Sequence, residues 1–105
     1  MTKHKVSELE GALLDAAVAK AEGRLEAWWN TNEAYSVEWS DGGPIIERER
    51  ISFHVYAGDV TAYVRAGFAG GEITGDAGSE SGPTHLVAAM RAYVAAKLGE
   101  EIDLP

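Results

Sequence analysis

The sequence predicts an α+β protein with a small antiparallel sheet of about three strands and two helices packed on one of its faces. Three observations lead to this fold class. An alanine-rich helical pattern follows the amino terminus, two alternating segments flank Gly58-Asp59, and a second helical pattern begins at Gly82-Pro83-Thr84. The chain order is helix, strand, hairpin, helix, which suits an N-terminal and a C-terminal helix covering one sheet face.

The amino-terminal helix is predicted from its two ends. Ser7-Glu8-Leu9-Glu10 has the form of a capping box, in which the serine oxygen accepts from the amide of Glu10 and the Glu10 carboxylate accepts from the serine amide. Gly23 is the expected end, because glycine readily adopts the left-handed conformation that closes many helices; the alternative is a helical pattern that continues through Leu25, Trp28 and Trp29. We expect Glu22, just before it, to face solvent.

The first strand is predicted by alternation. Tyr35, Val37 and Trp39 alternate with polar residues, which is the period of a strand with one buried face. The segment from Ser40 to Pro44 contains two glycines before a proline and is predicted to be the turn that ends this strand.

The segment Glu47-Arg48-Glu49-Arg50 alternates acids and bases, which in an extended chain would place them on opposite sides. The simpler interpretation is a solvated edge strand whose charges discourage edge-to-edge association. The alternative is a recognition surface, in which Glu47 and Arg48 lie beside the Gly42-Gly43-Pro44 turn and bind a partner's carboxylate or amide groups.

The hairpin consists of alternating strands at 51–56 and 60–65. A two-residue loop at Gly58-Asp59 pairs Val55 with Ala62, so that apolar side chains meet on one face, whereas a three-residue loop would mix the faces. The outer face then carries a polar, partly aromatic strip in which His54 lies opposite Tyr63. Its members are Ser52, His54, Tyr56, Thr61, Tyr63 and Arg65.

Residues 67–82 are rich in glycine, serine and acid, and are predicted to form a mobile loop. The last helix starts at Gly82-Pro83-Thr84, with proline in its first turn, where the missing amide costs nothing. Apolar residues recur at helical spacing as far as Gly99, the expected end, and the alanines between them allow close approach to the sheet.

Composition indicates one soluble domain, 1–105. The 105 residues suffice for one modest core, and the net charge of -8 disfavours direct nucleic-acid binding. No apolar run is long enough for a membrane span, and the basic amino terminus lacks the apolar stretch of a signal peptide, so we expect a cytoplasmic protein. The chain has no cysteine, which excludes disulfides and thiolate sites.

Motifs that carry chemistry are missing from the sequence. The histidines at 4, 54 and 85 lack the spacing of a metal site, and the glycines at 70, 71, 75 and 78 are not followed by the Gly-Lys-Ser/Thr of a phosphate-binding loop. We therefore predict no catalytic residues, no metal and no cofactor.

Three blocks carry a family resemblance: Lys5 to Leu9 with the helix that follows, Gly43 to Glu49, and Gly82 to Gly99. On these residues the chain resembles a phage- and prophage-encoded NinX-like family of unknown function. Two positions depart from the family pattern, since Arg50 stands where glycine is common and His85 where proline is common. The resemblance implies a phage accessory protein in a bacterial host and supplies no activity, cofactor or catalytic residues.

Two functional hypotheses follow. The first is a non-enzymatic module that binds a host or phage protein, or itself; one variant is an acidic mimic of nucleic acid that captures a basic host protein. The second is a small-molecule binder or unrecognised enzyme, with its pocket between the glycine-rich loop and the hairpin strip and with His54, Tyr63 and Arg65 as acid, base and anion-binding groups. The candidate partner-binding residues are Trp28, Trp39, Pro44, Glu47, Arg48, His54, Tyr63 and Arg65.

Overall fold

The computed structural model describes residues 2–24, 32–65, 68–69, 72–73 and 76–104. Within these ranges it confirms the α+β class, with three α-helices and antiparallel sheets. No helix in them is long and apolar enough to cross a membrane. The helices are α1 (Gly11–Ala21), α2 (Trp39–Glu49) and α3 (His85–Leu98). The strands are β1 (Thr2–Lys5), β2 (Ser52–Tyr56), β3 (Asp59–Arg65), β4 (Phe68–Ala69), β5 (Glu72–Ile73), β6 (Asp76–Gly82) and β7 (Glu101–Leu104).

The main sheet has three strands in the order β2-β3-β6, all antiparallel. Two smaller pairs, β1 with β7 and β4 with β5, accompany it. The predicted number of strands in the main sheet is right, but its third strand is β6 and not the segment 35–39. α3 packs over β6 and β3, whereas α1 packs mainly on α3 instead of on the sheet.

The hairpin between β2 and β3 has the two-residue loop that the hydrophobic pattern requires, placed one residue earlier than predicted. Ala57 and Gly58 form the turn with φ of 52° and 87°, which is the geometry of a primed turn. Val55 therefore pairs with Val60, and His54 with Thr61 instead of Tyr63. Because this register differs from the predicted one by two residues, each side chain keeps its predicted face.

Strand β6 corrects the prediction of a loop over 67–82, which is wrong for its second half. Gly78 and Gly82 lie on the side of β6 that faces α3, where a Cβ on Gly78 would stand 2.7 Å from the Ala92 carbonyl oxygen. A Cβ on Gly82 would stand 2.9 Å from the Ala88 amide nitrogen. The glycines are thus positions of close approach between strand and helix, and the alanines of α3 make the same contact from the other side.

Helix α3 begins at His85, later than the predicted start, which had proline in the first turn. Thr84 is its N-cap, and the Thr84 hydroxyl accepts a hydrogen bond of 3.1 Å from the Val87 amide. Pro83 therefore precedes the helix instead of forming its first turn, and His85 takes the first helical position, where proline is favoured. The predicted end at Gly99 is confirmed, with φ of 94°.

Helix α1 starts at Gly11, and the predicted capping box does not form. Residues Val6–Glu8 make a 3-10 turn instead, which buries Val6 and Leu9. The Val6 amide donates to the Glu100 carbonyl at 2.8 Å, so the β1–β7 pair fixes the backbone where the capping box was expected. The end at Gly23 is confirmed: the amide of Gly23 bonds the Lys20 carbonyl, as in a Schellman motif.

Helix α2 overturns the predicted strand at 35–39 and the predicted turn at 40–44. Tyr35 is buried, while Val37 and Trp39 are exposed, so the alternating letters do not correspond to alternating burial. Gly42 and Ile45 form the buried side of α2, and Pro44 lies inside the helix on an exposed side. The pair of glycines misled the prediction because Gly42 is a contact position: a Cβ there would stand 2.5 Å from the Tyr35 carbonyl oxygen.

The charged segment 47–50 ends α2 and is not extended. Arg50 adopts the left-handed conformation with φ of 53°, and the Ile51 amide bonds the Ile46 carbonyl at 3.0 Å. This is again a Schellman motif, in which the left-handed position normally holds glycine. Arg50 therefore occupies a backbone position that favours glycine, at some conformational cost.

Candidate functional site

The ends of the three helices meet in a group of polar side chains, which we call the helix cluster: Glu22, Arg48, Glu49, Tyr93 and Lys97. The Arg48 guanidinium donates to both Glu22 carboxylate oxygens, at 3.1 and 2.7 Å, and its Nε donates to Glu49 at 2.9 Å. Arg48 is thus held by two carboxylates of its own chain. A role of Arg48 in binding a partner stays a prediction.

Tyr93 is the buried member of the helix cluster. The Tyr93 hydroxyl donates to the Glu22 carboxylate and accepts from Arg48 at 3.1 Å. One turn further along α3, the Lys97 ammonium lies 3.7 Å from a Glu49 oxygen. The cationic groups of Arg48 and Lys97 lie 5.7 and 5.9 Å from the Tyr93 ring centroid, within cation–π range.

These contacts set the protonation states of the helix cluster. Burial disfavours the charged form of Glu22, but the hydrogen bonds from Arg48 and Tyr93 outweigh it and lower the Glu22 pKa. Burial, followed by the hydrogen bond to Glu22, raises the pKa of Tyr93. Near neutral pH the cluster therefore contains a carboxylate, a guanidinium and a neutral phenol, each stabilising the others.

The hydrogen bonds of the helix cluster hold separate parts of the fold together. Glu22 lies just after α1, Arg48 in the last turn of α2, and Tyr93 in α3, so that their hydrogen bonds join three helices. Sequence reasoning missed both Glu22, which was expected to face solvent, and Tyr93, which is one of the residues at helical spacing in the last helix. Glu22 is 26 residues from Arg48 and 71 residues from Tyr93 in the chain. Contacts between residues so far apart leave no local pattern in the sequence.

A second feature is an open cleft of about 460 Å³ between the start of α2 and the start of α3, which we call the Trp39 cleft. Its lining includes Ser36, Val37, Trp39, Pro83, His85 and Leu86. Val37 is 64% exposed and Trp39 is 57% exposed, although both are large and apolar. The cleft is therefore a mainly apolar surface that the fold leaves uncovered.

The floor of the Trp39 cleft is held by hydrogen bonds from backbone amides to side chains. The Ser36 amide donates to Asp15 at 2.8 Å, which ties the turn before α2 to α1, and the Ala34 amide donates to Asp41 at 2.9 Å. The Ser36 hydroxyl is buried and has no hydrogen-bond partner among the described residues. Gly42 adds to this floor, because its missing side chain lets Leu86 approach closely.

Two other clefts, of about 350 and 460 Å³, are lined mainly by serine and charged residues near the β1–β7 pair and β6. His54 and Tyr63 line none of the three clefts. Among the described residues, no three histidine, aspartate or glutamate side chains are placed to hold a metal ion.

The predicted site residues fall into separate places. Trp39, Pro44, Glu47 and Arg48 share α2, but only Trp39 lines the apolar cleft. His54 and Tyr63 share the outer face of the sheet, where they are diagonal neighbours, not the opposed pair that was predicted. Trp28 lies outside the described residues, and of Arg65 only the backbone is described, at the end of β3.

The fold and these surfaces define a class of protein. It is a small α+β protein with an internally paired polar cluster and an exposed apolar cleft. Residues 5–97 match the family model described as Bacteriophage P22, NinX. The match spans most of the chain, and the protein belongs to this NinX family, as the resemblance indicated; it is a phage accessory protein. No curated protein matches the chain.

Proposed function

We propose that this phage accessory protein is a non-enzymatic module that binds another protein, and that the Trp39 cleft is the contact surface. The observation that carries the proposal is the exposure of Trp39 and Val37, 57% and 64%, at the mouth of a 460 Å³ cleft. Covering one large apolar side chain stabilises a complex by about 1.5–3 kcal/mol. Tryptophan beside a pocket is also the residue type most often central to binding surfaces.

Trp39 is more than half exposed at the start of α2, which supports a role outside its own chain. A Cβ on Gly43 would stand 3.7 Å from the Trp39 ring, which is an ordinary contact distance. The polar residues near the end of the same helix are, by contrast, engaged with α1 and α3. The start of α2 is therefore the part of this helix that a partner can cover without breaking internal contacts.

The charge of the chain suggests the chemistry of the partner. A net charge of -8 attracts basic surfaces and repels acidic ones, so the proposed partner is a host protein segment with an apolar side chain for the cleft and lysine or arginine beside it. The proposed place of action is the host cytoplasm. Pro44, Glu47, His54 and Tyr63 stay predictions, and so does the small-molecule alternative.

The test is affinity capture from a lysate of the bacterial host, with the retained proteins identified by mass spectrometry. Trp39→Ser removes the proposed anchor and should abolish capture, while raising the salt concentration should weaken it. Leu13→Ser is the matched control, because Leu13 is also large, apolar and exposed, at 43%, but lies on α1 away from the cleft.

Circular dichroism of each variant establishes that it is folded before capture is compared. Retention of the same partner by Trp39→Ser, or equal loss in Trp39→Ser and Leu13→Ser, would contradict the proposal. Capture that does not depend on the salt concentration would contradict the proposal of a basic partner. It would not contradict the proposal that the Trp39 cleft is the contact surface.

A further inference from the structure

The two edges of the main sheet differ in composition. Strand β6 (Asp76–Gly82) contains two acids and two serines, whereas β2 (Ser52–Tyr56) contains no charged residue and no proline. Phe53, Val55 and Tyr56 are all strong strand formers. Within the described part of the chain, β2 is hydrogen-bonded to a strand on one side only. Natural edge strands usually carry a charged residue, often lysine, or a proline, and these residues prevent further pairing. β2 carries neither.

Strand β2 also exposes apolar side chains that the fold does not use. Val55 is 57% exposed and Tyr56 is 76% exposed. Val55 lies on the same face as Phe53, whose ring meets His85 at the start of α3 with centroids 4.9 Å apart. α3 runs over β3 and β6 and leaves the far end of β2 uncovered. A strand added beside β2 would cover Val55 and satisfy the open edge at the same time.

Charge and register favour a second copy of this chain as that strand. Two copies that each carry a net charge of -8 repel unless they meet through a neutral strip, and β2 is such a strip. An antiparallel pairing centred on His54 places Phe53 opposite Val55 of the second copy and Ser52 opposite its Tyr56. Apolar then meets apolar on the face that carries α3, and the two contacts repeat by symmetry.

We infer that β2 pairs with β2 of a second copy about a two-fold axis at His54, so that two three-stranded sheets form one six-stranded sheet. This dimer does not rest on the proposed function, because the Trp39 cleft takes no part in it. A five-residue strand pair is small for an interface, so we expect a reversible dimer with a dissociation constant on the order of 10–100 μM.

Sedimentation equilibrium over a concentration series measures the association. The wild-type chain should shift from monomer to dimer, and Val55→Lys should stay monomeric, because an edge lysine would be forced into the apolar contact. Val37→Lys is the control: it places the same charge on an equally exposed valine of the Trp39 cleft and should leave dimerisation unchanged. Circular dichroism confirms that both variants fold.

The register is tested by cysteine cross-linking, which is clean because the chain has no cysteine. His54→Cys places two thiols directly opposite, with Cα atoms about 4.5–5.5 Å apart, which allows a disulfide. Tyr56→Cys lies on the same exposed face, but its two copies would be about 13 Å apart along the strands. Oxidation should therefore yield a covalent dimer of His54→Cys and not of Tyr56→Cys.

Three results would each overturn the inference. They are a wild-type chain that remains monomeric well above 100 μM, loss of the dimer in Val37→Lys as complete as in Val55→Lys, and equal cross-linking of the two cysteine variants. Loss in Val37→Lys would move self-association to the Trp39 cleft and leave the edge of β2 without a role.

Discussion

The helix cluster and the Trp39 cleft both involve α2, yet they use it in opposite ways. At its end, Arg48 is hydrogen-bonded to Glu22 and Glu49 and lies over Tyr93, so that its charge is used within the chain. At its start, Trp39 is exposed beside an open cleft. The comparison teaches that Arg48 and Glu49 use their charges within the chain, whereas the exposed surface at the other end of the same helix is apolar.

The largest expected effect concerns the support of the cleft. A Cβ on Gly42 would stand 2.5 Å from the Tyr35 carbonyl oxygen and 2.7 Å from a Leu86 methyl group, so Gly42→Ala must displace α2. We expect a loss of about 2–3 kcal/mol in the free energy of unfolding, measured by urea denaturation. Gly43→Ala is the matched control: it meets only the Trp39 ring at 3.7 Å and should gain up to about 1 kcal/mol, since alanine is the better helix former. Equal stabilities would contradict the contact.

Removing the central acceptor of the helix cluster should have the next largest effect. Glu22→Ala takes away the carboxylate that accepts from Arg48 and Tyr93, and should lower the free energy of unfolding by about 2 kcal/mol, the Arg48 side chain being half exposed. Glu47→Ala, at an exposed position on α2, should change it by less than about 0.5 kcal/mol. Equal losses in the free energy of unfolding of the two variants would show that the helix cluster does not stabilise the fold.

The pKa shifts of the helix cluster predict how stability depends on pH. The Glu22 pKa is lowered in the folded state, so its contribution is present above the ordinary value of 4.5 and is lost as the pH falls below it. The Tyr93 pKa is raised, so its contribution is lost as the pH rises above the ordinary 10.0. Urea denaturation between pH 7 and 3 should show less acid destabilisation for Glu22→Gln than for the wild type. The same acid dependence in both would remove this role of Glu22.

The smallest effect is expected at Arg50, where α2 ends. Arg50→Gly should raise the free energy of unfolding by about 0.5–1 kcal/mol over Arg50→Ala, because both lose the side chain but only glycine fits the left-handed conformation without strain. Thermal denaturation of the two variants, side by side, measures the difference. An alanine variant as stable as the glycine variant would show that position 50 does not require glycine.

Local signals in the sequence predicted the parts of the fold that depend on them. α3, the ends at Gly23 and Gly99 and the faces of the hairpin follow from helical spacing, backbone freedom and alternation. α2 and β6 were missed because Gly42 and Gly78 resemble the glycines of turns. Their reason is a close approach to residues distant in the chain, visible only in three dimensions.

The two candidate surfaces were predictable to different extents. Trp39 was named from the sequence, although in a strand, and its exposure beside Pro83 and His85 depends on where α2 begins. The helix cluster was not predicted, because Glu22, Arg48 and Tyr93 lie far apart in the chain. A residue type alone does not say whether a charge will find its partner inside the chain.

The most direct test of the contrast between the two regions is the free energy of unfolding of Trp39→Ser beside that of Tyr93→Phe. Tyr93→Phe removes only the hydroxyl that joins Glu22 and Arg48, and should lose about 1–2 kcal/mol. Trp39→Ser removes a far larger side chain, yet should change stability by less than about 0.5 kcal/mol, because that side chain is exposed. The opposite order would show that Trp39 belongs to the core and that the cleft is not a surface kept free for a partner.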